Sequence, residues 1–73
     1  MNPRLPRISG DDAARALERA GFQRISQRGS HLKLRSDAGR VVVVPLHREL
    51  AAGTLRSIIR QSGLSVEDFL ERL

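Results

Sequence analysis

The sequence contains no cysteine, tryptophan or tyrosine among its 73 residues. Without cysteine there is neither a disulfide framework nor a thiolate zinc site, and small secreted proteins usually depend on one of these, which favours a cytoplasmic protein. No run of about 18 apolar residues is present, so we predict no membrane-spanning helix. The opening segment, Met-Asn-Pro-Arg-Leu-Pro-Arg, lacks the apolar stretch of a secretory signal peptide.

The length of the chain leaves room for one small domain. A domain of this size buries only about 60% of the surface that its unfolded chain exposes, so its stability margin is thin. Pro3 and Pro6 disfavour regular structure at the start of the sequence. We therefore predict an extended N-terminal tail over residues 1–8 and a single domain over residues 9–73.

Positive charge is concentrated in the first two thirds of the chain. Residues 1–48 hold ten basic and four acidic side chains, whereas residues 49–73 hold three and four. Within residues 22–48 the balance is six to one, and twelve of the thirteen basic residues are arginine, which pairs bidentately with phosphate. This distribution indicates a polyanionic partner, most simply nucleic acid, although arginines that only maintain solubility would also account for it.

Hydrophobic periodicity predicts one helix followed by three strands. Alanine and leucine recur at helical spacing after Ser9, which is a predicted N-cap with Asp12 three residues further on, and Gly21 ends the helix. From there the apolar residues alternate with polar ones, and short turns interrupt the pattern. The predicted strands are Phe22–Gln27, Ser30–Arg35 and Arg40–Pro45.

The last third of the chain predicts two further helices. One opens near Gly53 and ends at Gly63, and Ser65 caps a final short helix. Because short turns join the strands, we expect an antiparallel meander with the second strand in the centre. The predicted class is α+β, in the order α-β-β-β-α-α, with a three-stranded antiparallel sheet and the helices on one face.

The central strand places a histidine between cations. Successive strand side chains point to opposite faces, so Leu32 and Leu34 face the helices. His31, Lys33 and Arg35 then face solvent, where the cations can hold a phosphodiester while the imidazole acts on it. The alternative is that His31 is an ordinary exposed histidine with no catalytic role.

Two further features stand near this strand. Residues 41–44 are all valine on an edge strand, which indicates a cover by a second copy or another protein, or else by the following loop or the last helix.

His47 follows in the loop and is interpreted as structural, with an auxiliary role to His31 left open. The two histidines have no carboxylate residues spaced near them as further ligands, so they do not make a metal site, and no cofactor is predicted. With only two phenylalanines, the chain lacks the stacking platform of most readers of single-stranded RNA.

Five segments of the sequence, taken in order, resemble one known family. They are Gly21–Phe22, Gly29–His31, Val43–His47, Gly53–Gly63 and Glu67–Phe69, and together with their spacing they are similar to the HicA (YcfA-like) toxin family. The resemblance covers nearly the whole chain from Ser9 onward. It implies a fold like that of the double-stranded-RNA-binding domain, in agreement with the element order above.

The resemblance also implies a function, a partner and a catalytic residue. Members are mRNA interferases, ribosome-independent toxins of type II toxin–antitoxin pairs, and the histidine of the Gly-Ser-His motif is catalytic, which corresponds to His31. A HicB antitoxin masks that histidine, in a heterotetramer or a larger complex. For RNA binding we predict Arg24, Arg28, Ser30, Lys33 and Arg35. The alternatives are a non-catalytic RNA-binding module of the same fold and a degenerate relative that only holds a partner and represses transcription.

Overall fold

The computed structural model describes residues 4–73 and contains three helices and a three-stranded sheet. The elements are α1 (Gly10–Arg19), β1 (Phe22–Arg28), β2 (His31–Ser36), β3 (Val41–Pro45), α2 (Ala52–Ser62) and α3 (Val66–Glu71). The sheet is antiparallel in the order β1-β2-β3. The predicted α+β class, the element order and the central position of the second strand are confirmed, and each strand begins and ends within one residue of its predicted bounds.

The predicted N-terminal tail is described from Arg4 onward, and residues 1–3 lie outside the described residues. Residues 4–9 form neither helix nor strand. Leu5 and Ile8 are half-buried against the core, and the Ile8 carbonyl accepts a hydrogen bond from the Leu50 amide at 2.8 Å. This end of the predicted tail is therefore part of the packed domain.

Helix α1 begins with the predicted capping box. The Ser9 hydroxyl accepts a hydrogen bond from the Asp12 amide at 3.0 Å, and the Asp12 carboxylate accepts one from the Ser9 amide at 3.2 Å. These bonds satisfy two amides that the first turn leaves without helical partners. The inner face of the helix is mostly alanine, with Ala13 and Ala16 fully buried beside Leu17, and these small side chains bring the helix close to the sheet.

The two C-terminal helices are separated by a short bend. Gly63 ends α2 in the left-handed conformation, at φ 77°, which favours glycine. The Ser65 hydroxyl then accepts a hydrogen bond from the Asp68 amide at 3.0 Å and so begins α3. The bend brings Phe69 fully into the core.

The hydrophobic core lies between the helices and one face of the sheet. Its largest fully buried side chains come from both layers: Leu17, Leu55, Ile58 and Phe69 from the helices, and Leu34, Val42 and Val44 from the strands. The side chains that alternate with these strand residues are exposed on the opposite face. Among the described residues no helix covers that face, which we call the open face, and its side chains are free to carry function.

Candidate functional site

Strand β2 places three polar side chains on the open face. Leu32 and Leu34 are 2% and 0% exposed, whereas His31, Lys33 and Arg35 between and beside them are exposed. The alternation predicted from the sequence is confirmed. Burial of the two leucines fixes which way the strand faces, because a slip of one residue would bury the histidine and both cations.

His31 lies in an open depression of about 280 Å³ together with Ser26, Arg28, Lys33 and Val43. The strand register explains this grouping. Arg28 is the cross-strand partner of His31, and both Ser26 and Val43 are partners of Lys33, from opposite sides. Directly opposed residues of antiparallel strands share a face. The imidazole therefore lies beside two cationic side chains, and a hydroxyl and a valine flank Lys33.

The turn before His31 is held at both of its ends. The Gln27 side-chain amide donates a hydrogen bond to the Gly29 carbonyl at 3.0 Å. The Leu46 amide donates another to the Ser30 carbonyl at 2.6 Å. Ser30 itself is exposed and lies next to His31 in this turn. The bonds fix the backbone from which the imidazole projects, so the site is built on a rigid strand end.

A β-bulge separates the two arginines of β1. Arg24 pairs with the buried Leu34, whereas Arg28 pairs with the exposed His31, and the register shifts between Arg24 and Ser26. Strict alternation would place both arginines on one face, and the extra residue of the bulge moves Arg28 to the other. Of the predicted RNA-binding residues, Arg28 therefore joins His31 and Arg24 does not.

Arg24 is instead bound to α1. Its guanidinium lies 3.1 Å from the Glu18 carboxylate and 3.5 Å from that of Asp11. The hydrogen bond with Glu18 is the main cause that raises the pKa of Arg24, and Asp11 adds to it, while partial burial acts in the opposite direction. Ion pairs this exposed contribute less than about 1 kcal/mol each, but they neutralise the arginine on the helix side of the sheet.

The cations of the open face carry uncompensated charge. Among the described residues, Arg28, Lys33 and Arg35 form no ion pair. Arg40, at the end of the next turn, is committed elsewhere, because its guanidinium donates to the Gln61 carbonyl at the end of α2. Phosphate oxygens that approach the open face would therefore meet three free positive charges.

His47 lies outside the depression that contains His31. Its side chain is exposed, and its backbone carbonyl accepts a hydrogen bond from the Gly10 amide at 2.8 Å, which joins the loop after β3 to the start of α1. This contact supports the structural interpretation. In residues 4–73 no three His, Cys, Asp or Glu side chains are grouped so that they could hold a metal ion.

Apolar side chains border the cations on the open face. Val41 and Val43 of β3 are 43% and 39% exposed, and Ile25 in the bulge is 48% exposed. Neither the loop after β3 nor α3 covers the two valines. The alternative prediction, that one of these later segments covers the edge strand, was therefore wrong for the described part of the chain. The role of Val43 and Ser26 in lining the site was missed by the sequence analysis, since it depends on cross-strand register.

Comparison with known proteins identifies a family. A family model described as the HicA toxin of bacterial toxin–antitoxin systems matches residues 10–64 of the 73-residue chain. The match includes all three strands and the whole of α1 and α2. No curated protein matches the chain. Within residues 4–73 no helix has the length and apolar character needed to cross a membrane.

Proposed function

The chain belongs to the HicA toxin family of bacterial toxin–antitoxin systems, and from this membership we propose that it is an mRNA interferase whose catalytic residue is His31. The observation that supports the proposal best is the position of this imidazole. It lies exposed at a fixed strand end, in one depression with Arg28 and Lys33, neither of which has an ion-pair partner among the described residues.

The proposed reaction is transesterification within the RNA strand. The neutral imidazole of His31 takes the proton of a ribose 2′-hydroxyl, and the freed oxygen attacks the adjacent phosphorus. The new bond closes a 2′,3′-cyclic phosphate as the bond from phosphorus to the 5′-oxygen breaks. The leaving oxygen takes a proton from water, and the hydroxide so formed takes the proton back from His31. General base catalysis of this kind accelerates a reaction by about 10²–10⁴-fold. The step requires no metal ion.

Arg28 and Lys33 have a different role from the histidine in this mechanism. Negative charge builds up on the phosphate oxygens as the attacking oxygen approaches phosphorus. Fixed cations beside that position stabilise the transition state more than the ground state. Arg35 lies further along the open face and Ser30 lies in the turn next to His31, and both bind the RNA backbone beside the scissile phosphate.

The cognate partner expected of a toxin in such a system is an antitoxin, and we propose that it is of the HicB type and binds the open face. A protein laid across this face covers His31 and the exposed Val41 and Val43 at once. Burial of those valines contributes affinity through the hydrophobic effect, and acidic side chains of the partner would pair with the free cations. The complex is a heterotetramer or a larger assembly.

One experiment separates this nuclease from an RNA-binding module of the same fold. Purified protein is incubated with labelled mRNA, and both cleavage and retention on a filter are measured. We expect cleavage by the wild-type protein. We expect the Lys33→Glu variant to bind RNA of every sequence more weakly. The magnitude of the slope of log K for RNA binding against log salt concentration should fall by about 1.

The matched control is Arg56→Glu, which makes the same change of charge on an exposed position of α2, away from the open face. We expect it to bind and cut RNA like the wild-type protein. RNA that is bound but never cut would contradict the nuclease and support the binding module. Equal losses in the two variants would show that the open face has no special part in binding.

A further inference from the structure

A second depression lies on the open face, at the other end of β2 from His31. It has a volume of about 250 Å³ and is lined by Gln23, Ile25, Arg35, Ser36 and Asp37. Gln23 and Arg35 are cross-strand partners, so their side chains share the open face. Because His31 and Arg35 are four residues apart on one strand, their Cα atoms are separated by about 13 Å. RNA bound at His31 can therefore extend into the second depression.

Asp37 is the unexpected member of this group. It is the only acidic residue in the segment 22–48, which otherwise carries six basic residues. A carboxylate repels phosphate, so a surface that bound only the RNA backbone would gain nothing from it.

The local turn does not account for the Asp37 side chain either. The Ser36 hydroxyl accepts a hydrogen bond from the Arg40 amide at 3.1 Å, and the Ser36 carbonyl accepts one from Gly39 at 2.9 Å. Within residues 4–73 the Asp37 carboxylate has neither an ion pair nor a hydrogen bond. Its two oxygens are acceptors without a donor in this part of the chain, and the exposed Asp37 lines the same depression as Gln23 and Arg35.

We propose that this depression binds a guanine base of the RNA substrate, with Asp37 as the residue that determines specificity. The proposal rests on the proposed function, which supplies the RNA. Guanine presents two neighbouring N–H donors on its Watson–Crick edge, at N1 and N2, and a carboxylate accepts both. Uracil flanks its one N–H with carbonyl oxygens, and adenine and cytosine offer only an amino group there.

Two neighbours of Asp37 complete the site. Ile25, 48% exposed in the bulge, gives the flat ring an apolar surface, whereas Phe22 and Phe69 are both buried in the core. The Gln23 amide is a donor for the O6 oxygen of guanine, and the Arg35 guanidinium is a donor for the adjacent phosphate. The bulge that separates Arg24 from Arg28 thus also brings Ile25 into the second depression.

The test changes one chemical group at a time, in the RNA base and in the Asp37 side chain. Oligoribonucleotides of uridine with one guanosine, moved a position at a time, are compared with the same set in which inosine replaces guanosine and so lacks the N2 amino group. Full-length wild-type protein, Asp37→Asn and the charge-matched control Glu71→Gln are assayed for kcat/KM. At one position we expect wild type and Glu71→Gln to prefer guanosine over inosine by about tenfold. We expect the ratio to fall to about 1 in Asp37→Asn.

Each outcome separates this inference from the proposed function. Cleavage without preference at any position, or a preference that persists in Asp37→Asn, overturns the guanine site and leaves the nuclease intact. If no oligonucleotide is cut, binding of the same set decides. If the wild-type protein then binds guanosine-containing RNA more tightly and Asp37→Asn abolishes that difference, the guanine site is supported although the nuclease proposal fails. If the protein binds every oligonucleotide equally, both proposals are overturned.

Discussion

Substituting His31 with alanine is expected to lower the rate of RNA cleavage by about 10²–10⁴-fold while the protein stays folded. The loss follows from the proposed role of the imidazole as the base that takes the 2′-hydroxyl proton, because alanine has no group that accepts it. The side chain is exposed, so its removal leaves no cavity in the core. Circular dichroism and thermal unfolding verify the fold, and initial rates on labelled RNA give the effect.

His47→Ala is the matched control for this substitution. It removes the only other histidine of the chain, which is also exposed, and the backbone carbonyl that binds Gly10 is retained. We expect cleavage and stability close to those of the wild-type protein. A His31→Ala variant that cuts RNA at the full rate would contradict the mechanism, and so would equal losses in the two variants.

Replacing Gly10 with alanine is expected to destabilise the domain by about 3 kcal/mol. Helix propensity alone predicts the opposite sign, since Ala is better than Gly within a helix by about 1 kcal/mol. A Cβ at this position, however, would overlap the Pro45 carbonyl and lie 2.8 Å from the Leu46 Cα. These are backbone atoms that cannot rotate away, so the cost of overpacking reaches the upper part of its usual range. For a domain of this size that is a large share of its stability.

Gly53→Ala is the matched control for Gly10. It lies in the first turn of α2, where a Cβ would have no neighbour within 4 Å. We expect it to stabilise the protein by a few tenths of a kcal/mol up to about 1 kcal/mol. Urea unfolding of the two variants measures both effects, and a Gly10→Ala variant as stable as Gly53→Ala would show that α1 and the loop after β3 are not in close contact.

Features that depend on neighbouring residues were predictable from the sequence. The capping box of Ser9 and Asp12, the end of α2 at Gly63 and the alternation along β2 all arise from contacts within a few positions of the chain. The placement of His31, Lys33 and Arg35 on the exposed side of the central strand belongs to this class. It was predicted from the period of two, and the buried Leu32 and Leu34 confirm it.

Features that depend on register between distant segments were not predictable in the same way. Arg24 and Arg28 look equivalent in the sequence, and the bulge at Ile25 places them on opposite faces. No residue type marks this bulge, because it is set by how β1 pairs with β2. The second depression, which groups Asp37 of the next turn with Gln23 and the bulge residue Ile25, likewise depends on how β1 pairs with β2.

Long-range packing was the other source of error and omission. The close approach of α1 to the loop after β3 joins Gly10 to residues more than thirty positions away, and only the folded chain reveals why glycine is needed there. The exposure of Val41 and Val43 is likewise a tertiary fact, because the sequence left open whether a later segment of the chain would cover them.

The chemistry of the cut ends tests directly whether a histidine activates the 2′-hydroxyl of RNA. Purified protein is incubated with an end-labelled RNA in excess EDTA, and the products are identified by mass spectrometry and by their acceptance of phosphate from polynucleotide kinase. We expect cleavage in EDTA, with a 2′,3′-cyclic phosphate on one product and a 5′-hydroxyl on the other. Cleavage that requires Mg²⁺, or products that carry a 5′-phosphate, would contradict it.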